Sequence, residues 1–325
     1  MLSNKSFSNN TRKVRLLTIM NQQKPPIPVA IPLFIGITAI SFSSIFVKWS
    51  DSPVSIQAMY RLMITMLLML PFCFKYIPEL RKFTGADIVK LVASGTMLAV
   101  HFLLWMGSLQ WTSVANSTII LALQPLFVMI GAYILFKEKT SLSAIAGMGI
   151  AFIGVFLLIG KGGLSGGGTH LKGDLMSLFG TMAVAVHMLL GQMVLKRIPP
   201  FLYSWFVFAF ASIFLAAYNG LSGIPMTGYP PREWGIFLLL AIVPTVFGHL
   251  LFNWLMRYSS ASTVSMSVLG EPVGASLLAF ILLNETMNGL QAAGGAIVML
   301  GLILFLYVRP SRTTSEEAVA GLSEV

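Results

Sequence analysis

Apolar windows close to the roughly 20 residues that a helix needs to cross the hydrocarbon of a bilayer recur along the whole chain. They fall near 28–48, 54–74, 88–108, 114–135, 142–160, 174–195, 201–219, 234–255, 261–283 and 289–308. So little lies between them that no separate soluble domain fits. The fold class expected is an all-α integral membrane protein with ten transmembrane helices. Composition agrees: 10% of the residues are charged, against about 25% in a soluble domain, and the mean hydropathy is +0.83.

The first window follows the basic stretch TRKVRLL, but it is long, lacks a small-residue cleavage site and runs straight into another span. It reads as a retained helix. Asp51-Ser52-Pro53 makes a tight connection, the polar pair suited to capping and the proline to the first turn of the second helix. Cys73 is the only cysteine, so an internal disulfide and a Cys-based metal cluster are both excluded.

The formal charge of +10 raises the question of nucleic acid, and the placement of the basic residues answers it. With the amino terminus inside, 16 basic residues face one side, four (Lys48, Lys161, Lys172 and Arg232) face the other, and Arg61 lies within a span. That asymmetry predicts both termini in the cytoplasm and the loop at 161–170 outside. A nucleic-acid footprint needs a clustered basic face, and these short loops offer none.

The chain repeats itself. At an offset of 147, Pro125 stands over Pro272, Ser113 over Ser260, Glu138 over Glu285, Gly147 over Gly294 and Gly154 over Gly301. Five helices per half is an odd number, so the second half starts on the opposite side of the membrane and the repeat has inverted topology. The expected organisation is a cytoplasmic tail at 1–27, one repeat at 28–160, a glycine-rich linker at 161–173, a second repeat at 174–308 and a cytoplasmic tail at 309–325.

The segments HFLLWMGSLQWTSVANSTIILALQPLFVMIGAYILFKE (101–138) and GHLLFNWLMRYSSASTVSMSVLGEPVGASLLAFILLNE (248–285) resemble the EamA family of the drug/metabolite transporter superfamily. Arg61 matches a basic residue often seen in the second span of that family. The chain departs from the family at Gln110-Trp111-Thr112, keeping the family's Arg-Tyr-Ser only at Arg257-Tyr258-Ser259. The resemblance covers roughly 28–308. It implies ten helices, internal symmetry and transport of solutes ranging from amino acids and other metabolites to toxic compounds.

Polar residues inside the spans mark the candidate site. Glu271 sits near the middle of its span, where an ionised carboxylate costs at least about 2.5 kcal/mol. On a helix it shares a face with Ser267, Gly274 and Ala275, so another helix or a water-filled cavity can approach it. Pro272 frees the carbonyl of Val268 and Pro125 that of Leu121, two breaks in corresponding helices, which is the best sequence pointer to a transport site. The alternative is that Glu271 is paired with a buried donor and the prolines only shape kinks.

Arg61 shares a stripe with Gln57 and Thr65. It reads either as an anchor for a substrate carboxylate or counter-ion for Glu271, or as a brace between helices. Ser94, His101, Trp105, Ser108 and Thr112 follow one face of the third span, and Thr245, His249 and Asn253 one face of the eighth. His101, Trp105, His249 and Asn253 could line a pocket for a partly apolar solute, or the histidines could be satisfied core residues. His187, on a face with Gly180 and Gly191, reads as packing, and Lys48 as a snorkelling helix end. The paired glycines at 147, 154, 294 and 301 read as close helix contacts.

The leading function is a secondary transporter, exporting a small metabolite such as an amino acid or related amphipathic solute by alternating access around a midplane site. Protons are a candidate partner through Glu271; no cofactor, metal or nucleic acid is expected, and the oligomeric state stays open. The alternatives are a channel or a non-transporting scaffold. An intramembrane enzyme is disfavoured, because HExxH, GxSxG and clustered-carboxylate motifs are missing; GMGIAFIG does not follow a strand, and GKGGLSGGG lacks the spacing of a phosphate loop. The expected location is a bacterial or archaeal plasma membrane.

Overall fold

The computed structural model describes residues 25–112, 114–138, 140–159, 168–282 and 289–307. Most of the two tails, the greater part of the glycine-rich linker, Ser113 and Glu285 therefore lie outside the described residues. Those that are described form helices and short connections, with no strand among them. In chain order the helices are α1 Ala30–Trp49, α2 Val54–Cys73, α3 Gly85–Ser108, α4 Val114–Leu121, α5 Gln124–Phe136 and α6 Leu142–Ile159. They continue with α7 Gly168–Leu195, α8 Pro200–Leu221, α9 Pro231–Leu255 and α10 Ala261–Leu282, and α11 Gly289–Tyr307.

Seven helical stretches among the described residues are long and apolar enough to cross a membrane: Ala30–Trp49, Val54–Lys82, Gly85–Ser108, Leu171–Leu195, Pro200–Leu221, Pro231–Leu255 and Ala261–Leu282. Three shorter apolar helices, Gln124–Phe136, Ile145–Leu157 and Ala292–Phe305, accompany them. Burial is arranged as a membrane demands. Phe34 is 70% and Ile213 63% exposed, whereas Arg61 and Ser94 are at 0%. Outward apolar and inward polar faces suit a solvent of hydrocarbon.

Proline and hydroxyl residues set the helix starts. Pro200 and Pro231 occupy first turns, where a missing N–H costs nothing, and Thr84 and Asp87 form a reciprocal capping box on α3. Asp51 and Ser52 do not cap α2, whose N-cap position is Pro53. They reach α9 instead: Ser50 and Ser52 hydroxyls donate to the buried Glu233 carboxylate, and Asp51 pairs with Arg232 at 2.7 Å. The buried carboxylate is the stronger acceptor, so it draws the loop onto α9.

Two further expectations change. Lys48 does not snorkel outward, but donates to the Leu109 carbonyl at 2.7 Å, satisfying one of the orphan acceptors at the end of α3. Helix α7 begins at Gly168, inside the expected linker. Its polar first turns are held by Thr112, which donates to Asp174 at 2.8 Å, and by Lys172, which lies 3.6 Å from the Trp111 ring.

α6 runs along α11, α3 along α7, and α8 against both α2 and α3; α1 packs on α9 and α10. The α6–α11 contact depends on glycine. A Cβ on Gly154 would stand 2.5 Å from Val298 N and 2.7 Å from Gly294 O, and one on Gly301 would stand 2.5 Å from Ala151 N and 2.7 Å from Gly147 O. These four contacts map onto one another at the offset of 147. Backbone atoms cannot yield as a side-chain tip can, so Gly154→Ala and Gly301→Ala are each expected to cost about 1–3 kcal/mol. Thermal unfolding of the purified variants in one detergent checks this, and an unchanged midpoint would refute the contact.

Candidate functional site

Two helices break at matching depths. α4 and α5 are separated by a turn at Ala122-Leu123, with Pro125 in the first turn of α5. α10 tightens to a 3₁₀ turn over Val268–Gly270 before resuming at Glu271, followed by Pro272. Each proline thus opens a new helical segment instead of interrupting one. Glu271 heads its segment, and its backbone N–H donates to the Val268 carbonyl, the acceptor that Pro272 cannot reach.

A third distortion lies in α9, which is wound as a π-helix over Ala241–Leu250 around Pro244. Pro244 cannot bond to the Leu240 carbonyl, and the Thr245 hydroxyl donates to it at 2.8 Å. Thr65 of α2 donates to Ala241 O at 3.2 Å. Arg61, also on α2, donates from Nε to Thr245 Oγ1 at 3.0 Å and from Nη1 to Ser43 Oγ on α1 at 3.3 Å. Its guanidinium carbon stacks 4.2 Å from the Phe102 ring of α3. One fully buried cation therefore ties α1, α2, α3 and α9 together. Its Nη2 is left without a hydrogen-bond partner.

Next to this junction is a cavity lined from both halves of the chain. Of the residues singled out from the sequence, His101, Trp105, His249, Asn253 and Glu271 line it together. Arg61 does not line it, but the two groups it grips, Ser43 and Phe102, do. Pro125 and Pro272 stand one residue behind the lining residues Gln124 and Glu271. The rest of the third-span stripe serves structure: Ser94 bonds to His187 and Tyr203, Ser108 to Ser117 and Thr112 to Asp174. Gly274, on the Glu271 face, lies against Ser41 of α1.

The local contacts set what each lining group offers. His101 lies parallel to Trp105, the rings 5.9 Å apart at 7°, with its Nδ1 3.0 Å from Gly180 O. His249 meets Phe102 edge-on at 5.2 Å. Asn253 donates its amide hydrogen to Ser204 at 3.1 Å. Trp105 Nε1 is buried without a partner. Glu271 takes part in none of the ion pairs among the described residues, so Arg61 acts as a brace and a neighbouring charge, not as a contact partner.

Among the lining residues that the sequence reading did not assign to the site are His187 and Gln124. His187 does sit on the glycine face of α7, where Gly180 lies against Trp105 and Gly191 against Tyr203, yet its ring also reaches the cavity. Gln124 had a signal in plain view, because it precedes Pro125 as Glu271 precedes Pro272. More generally, Ile40 with His187, Phe102 with His249, Trp105 with Phe252, Leu121 with Val268 and Gln124 with Glu271 are pairs 147 apart, and all ten residues line the cavity. The histidines at 101 and 249 are not partners in that relation. His249 answers to Phe102, the ring it touches.

Comparison with known proteins places this geometry. An uncharacterized transporter of Archaeoglobus fulgidus is 26% identical over 255 residues, 76% of this chain and 86% of its own. A probable amino-acid metabolite efflux pump of Salmonella typhimurium is 28% identical over 203 residues, 59% of this chain and 67% of its own. A solved crystal structure superposes with a TM-score of 0.70 at 19% identity, covering 86% of this chain and 98% of the other, which speaks for the fold alone. The EamA-like transporter family matches residues 28–160 and again 171–307. With most of the chain matched in two successive copies, the protein belongs to the EamA-like transporter family.

Proposed function

We propose that the chain is a secondary transporter of ten transmembrane helices, two inverted five-helix repeats that rock around the cavity and open it alternately to each side. The observation that carries this reading is the cavity lining, drawn in equivalent pairs from both halves. A site on the internal symmetry axis is where alternating access can leave the solute in place while the halves exchange roles. Helix packing supports the same symmetry: α3 on α7 is matched by α9 on α1, and α4 and α5 on α7 by α10 on α1. The three shorter apolar helices complete the ten spans, α4 and α5 together forming one.

The solute is a small amphipathic metabolite, an amino acid or a relative of one, and the direction is export; the Salmonella relative's description as an efflux pump supports both. The driving force is the solute gradient, exchange, or protons taken up at Glu271. A thermal-shift screen of amino acids and related amphipaths on purified protein is the test, since a bound solute stabilises the fold by mass action. The stabilising effect is expected to disappear in Trp105→Ala, and its persistence there would remove the cavity from the site.

The basic-residue asymmetry supports a plasma-membrane protein with both termini cytoplasmic. On that topology the exposed connection between α8 and α9 faces outward. Thr227→Cys on a Cys73→Ala background is expected to react with an impermeant thiol reagent in intact cells. Labelling only after permeabilisation would reverse the orientation.

A further inference from the structure

Of the five symmetry-related pairs in the cavity, three are alike in position and unlike in chemistry. Where the first repeat places Ile40, Phe102 and Gln124, the second places His187, His249 and Glu271. All the titratable members of these pairs come from the second half, while His101, Gln124 and Ser43 of the first half add polar groups and Phe252, Val268 and Met256 of the second add apolar ones.

Hydrogen bonds within the protein set what the lining groups still have to offer. His101 Nδ1 faces the Gly180 carbonyl at 3.0 Å, and His187 Nδ1 lies 3.2 Å from the Ser94 carbonyl. A carbonyl has no hydrogen to give, so His101 carries its own on Nδ1, and in the neutral imidazole its Nε2 is left as a bare acceptor. His187 Nδ1 also faces the Ser94 hydroxyl at 2.8 Å, which can itself donate, so that ring offers either an acceptor or a donor. Gln124 donates its amide nitrogen to Met188 Sδ at 2.9 Å, and Asn253 donates its own to Ser204 Oγ at 3.1 Å. Their carbonyl oxygens remain, and the Glu271 carboxyl adds a further acceptor group.

Against these stand the unpartnered Trp105 Nε1 in the lining and Arg61 Nη2 behind it, together with the Ser43 hydroxyl, the N–H of His249 and the second amide hydrogens of Gln124 and Asn253. Arg61 has its other donors engaged by Thr245 and Ser43 and its face covered by Phe102. The lining thus offers donors as well as acceptors, and charge decides between ligands: Glu271 takes part in none of the ion pairs among the described residues, so a carboxylate would set a second anion beside it, whereas a primary ammonium brings three donors and its counter-charge.

Building on the reading of this cavity as the transport site, we infer that it recognises its solute by an ammonium group held against Glu271. The rings of Phe102, Trp105 and Phe252 then receive the apolar remainder, with Trp105 and Phe102 also able to face a cation.

Two isosteric probes test this on the purified full chain: 2-phenylethylamine and 3-phenylpropionate, titrated while the unfolding temperature is followed. The amine is expected to stabilise the protein and the carboxylate to leave it unchanged. Glu271→Gln and, separately, His187→Ile should each weaken the apparent affinity for the amine tenfold or more, the second variant guarding against a fold defect in the first. Stabilisation by the carboxylate that is lost in Trp105→Ala would keep the cavity as the site and overturn the ammonium assignment. Amine binding indifferent to Trp105→Ala would overturn both. Failure of the amine to bind would refute the inference.

Discussion

Arg61→Lys is expected to lose most transport while the protein still inserts in the membrane. The guanidinium makes three separate contacts at fixed angles: Nε to Thr245, Nη1 to Ser43, and a flat face on Phe102. A lysine ammonium is a compact point charge that cannot form this fork or stack. Hydrogen bonds to charged groups contribute about 1.5–3 kcal/mol each, and a desolvated cation–π contact about 2 kcal/mol. Losing even one such contact amounts to tenfold or more, since 1.4 kcal/mol is a factor of ten. The loss falls at the junction of α1, α2 and the π-helical part of α9, so it should appear as slowed exchange at every solute concentration. Wild-type exchange kinetics in Arg61→Lys would show that the junction is dispensable.

Glu271→Gln separates coupling from movement. Glutamine keeps the shape of the side chain and removes its ability to titrate, and it spares the membrane the cost of a carboxylate, which is at least about 2.5 kcal/mol at midspan. If Glu271 carries the proton, the variant retains solute-for-solute exchange with solute saturating on both sides and loses its response to an imposed pH gradient. In a well-folded variant, an intact pH response would move coupling elsewhere in the chain. Loss of both activities with loss of the fold would return Glu271 to a structural part.

Much of this arrangement could be read before any coordinates, because membrane helices and internal repeats both leave periodic traces in sequence. The apolar windows follow from bilayer thickness, and the proline and glycine pairs follow from one helix pattern used twice. Glu271 was legible because a carboxylate in an apolar run needs a reason. His187 was not, since a face bearing Gly180 and Gly191 describes close packing equally well, and only the third dimension brings that ring to the cavity. The π-helix of α9 was also hidden: Pro244 signals a distortion and Thr245 meets the Leu240 carbonyl locally, but the Thr65 hydroxyl on Ala241 O is settled by tertiary contact. Lys48 and the Asp51-Ser52 pair failed for a related reason, as their partners lie on helices far away in sequence.

Counterflow in proteoliposomes tests the central claim most directly. Vesicles containing the protein are preloaded with the amphipathic solute that most stabilises it, then diluted into a trace of labelled solute. A carrier working around this cavity predicts a transient uphill accumulation of label that saturates with solute and collapses in Trp105→Ala. Label that merely equilibrates at a rate proportional to concentration, unchanged in that variant, would contradict both the alternating-access mechanism and the site.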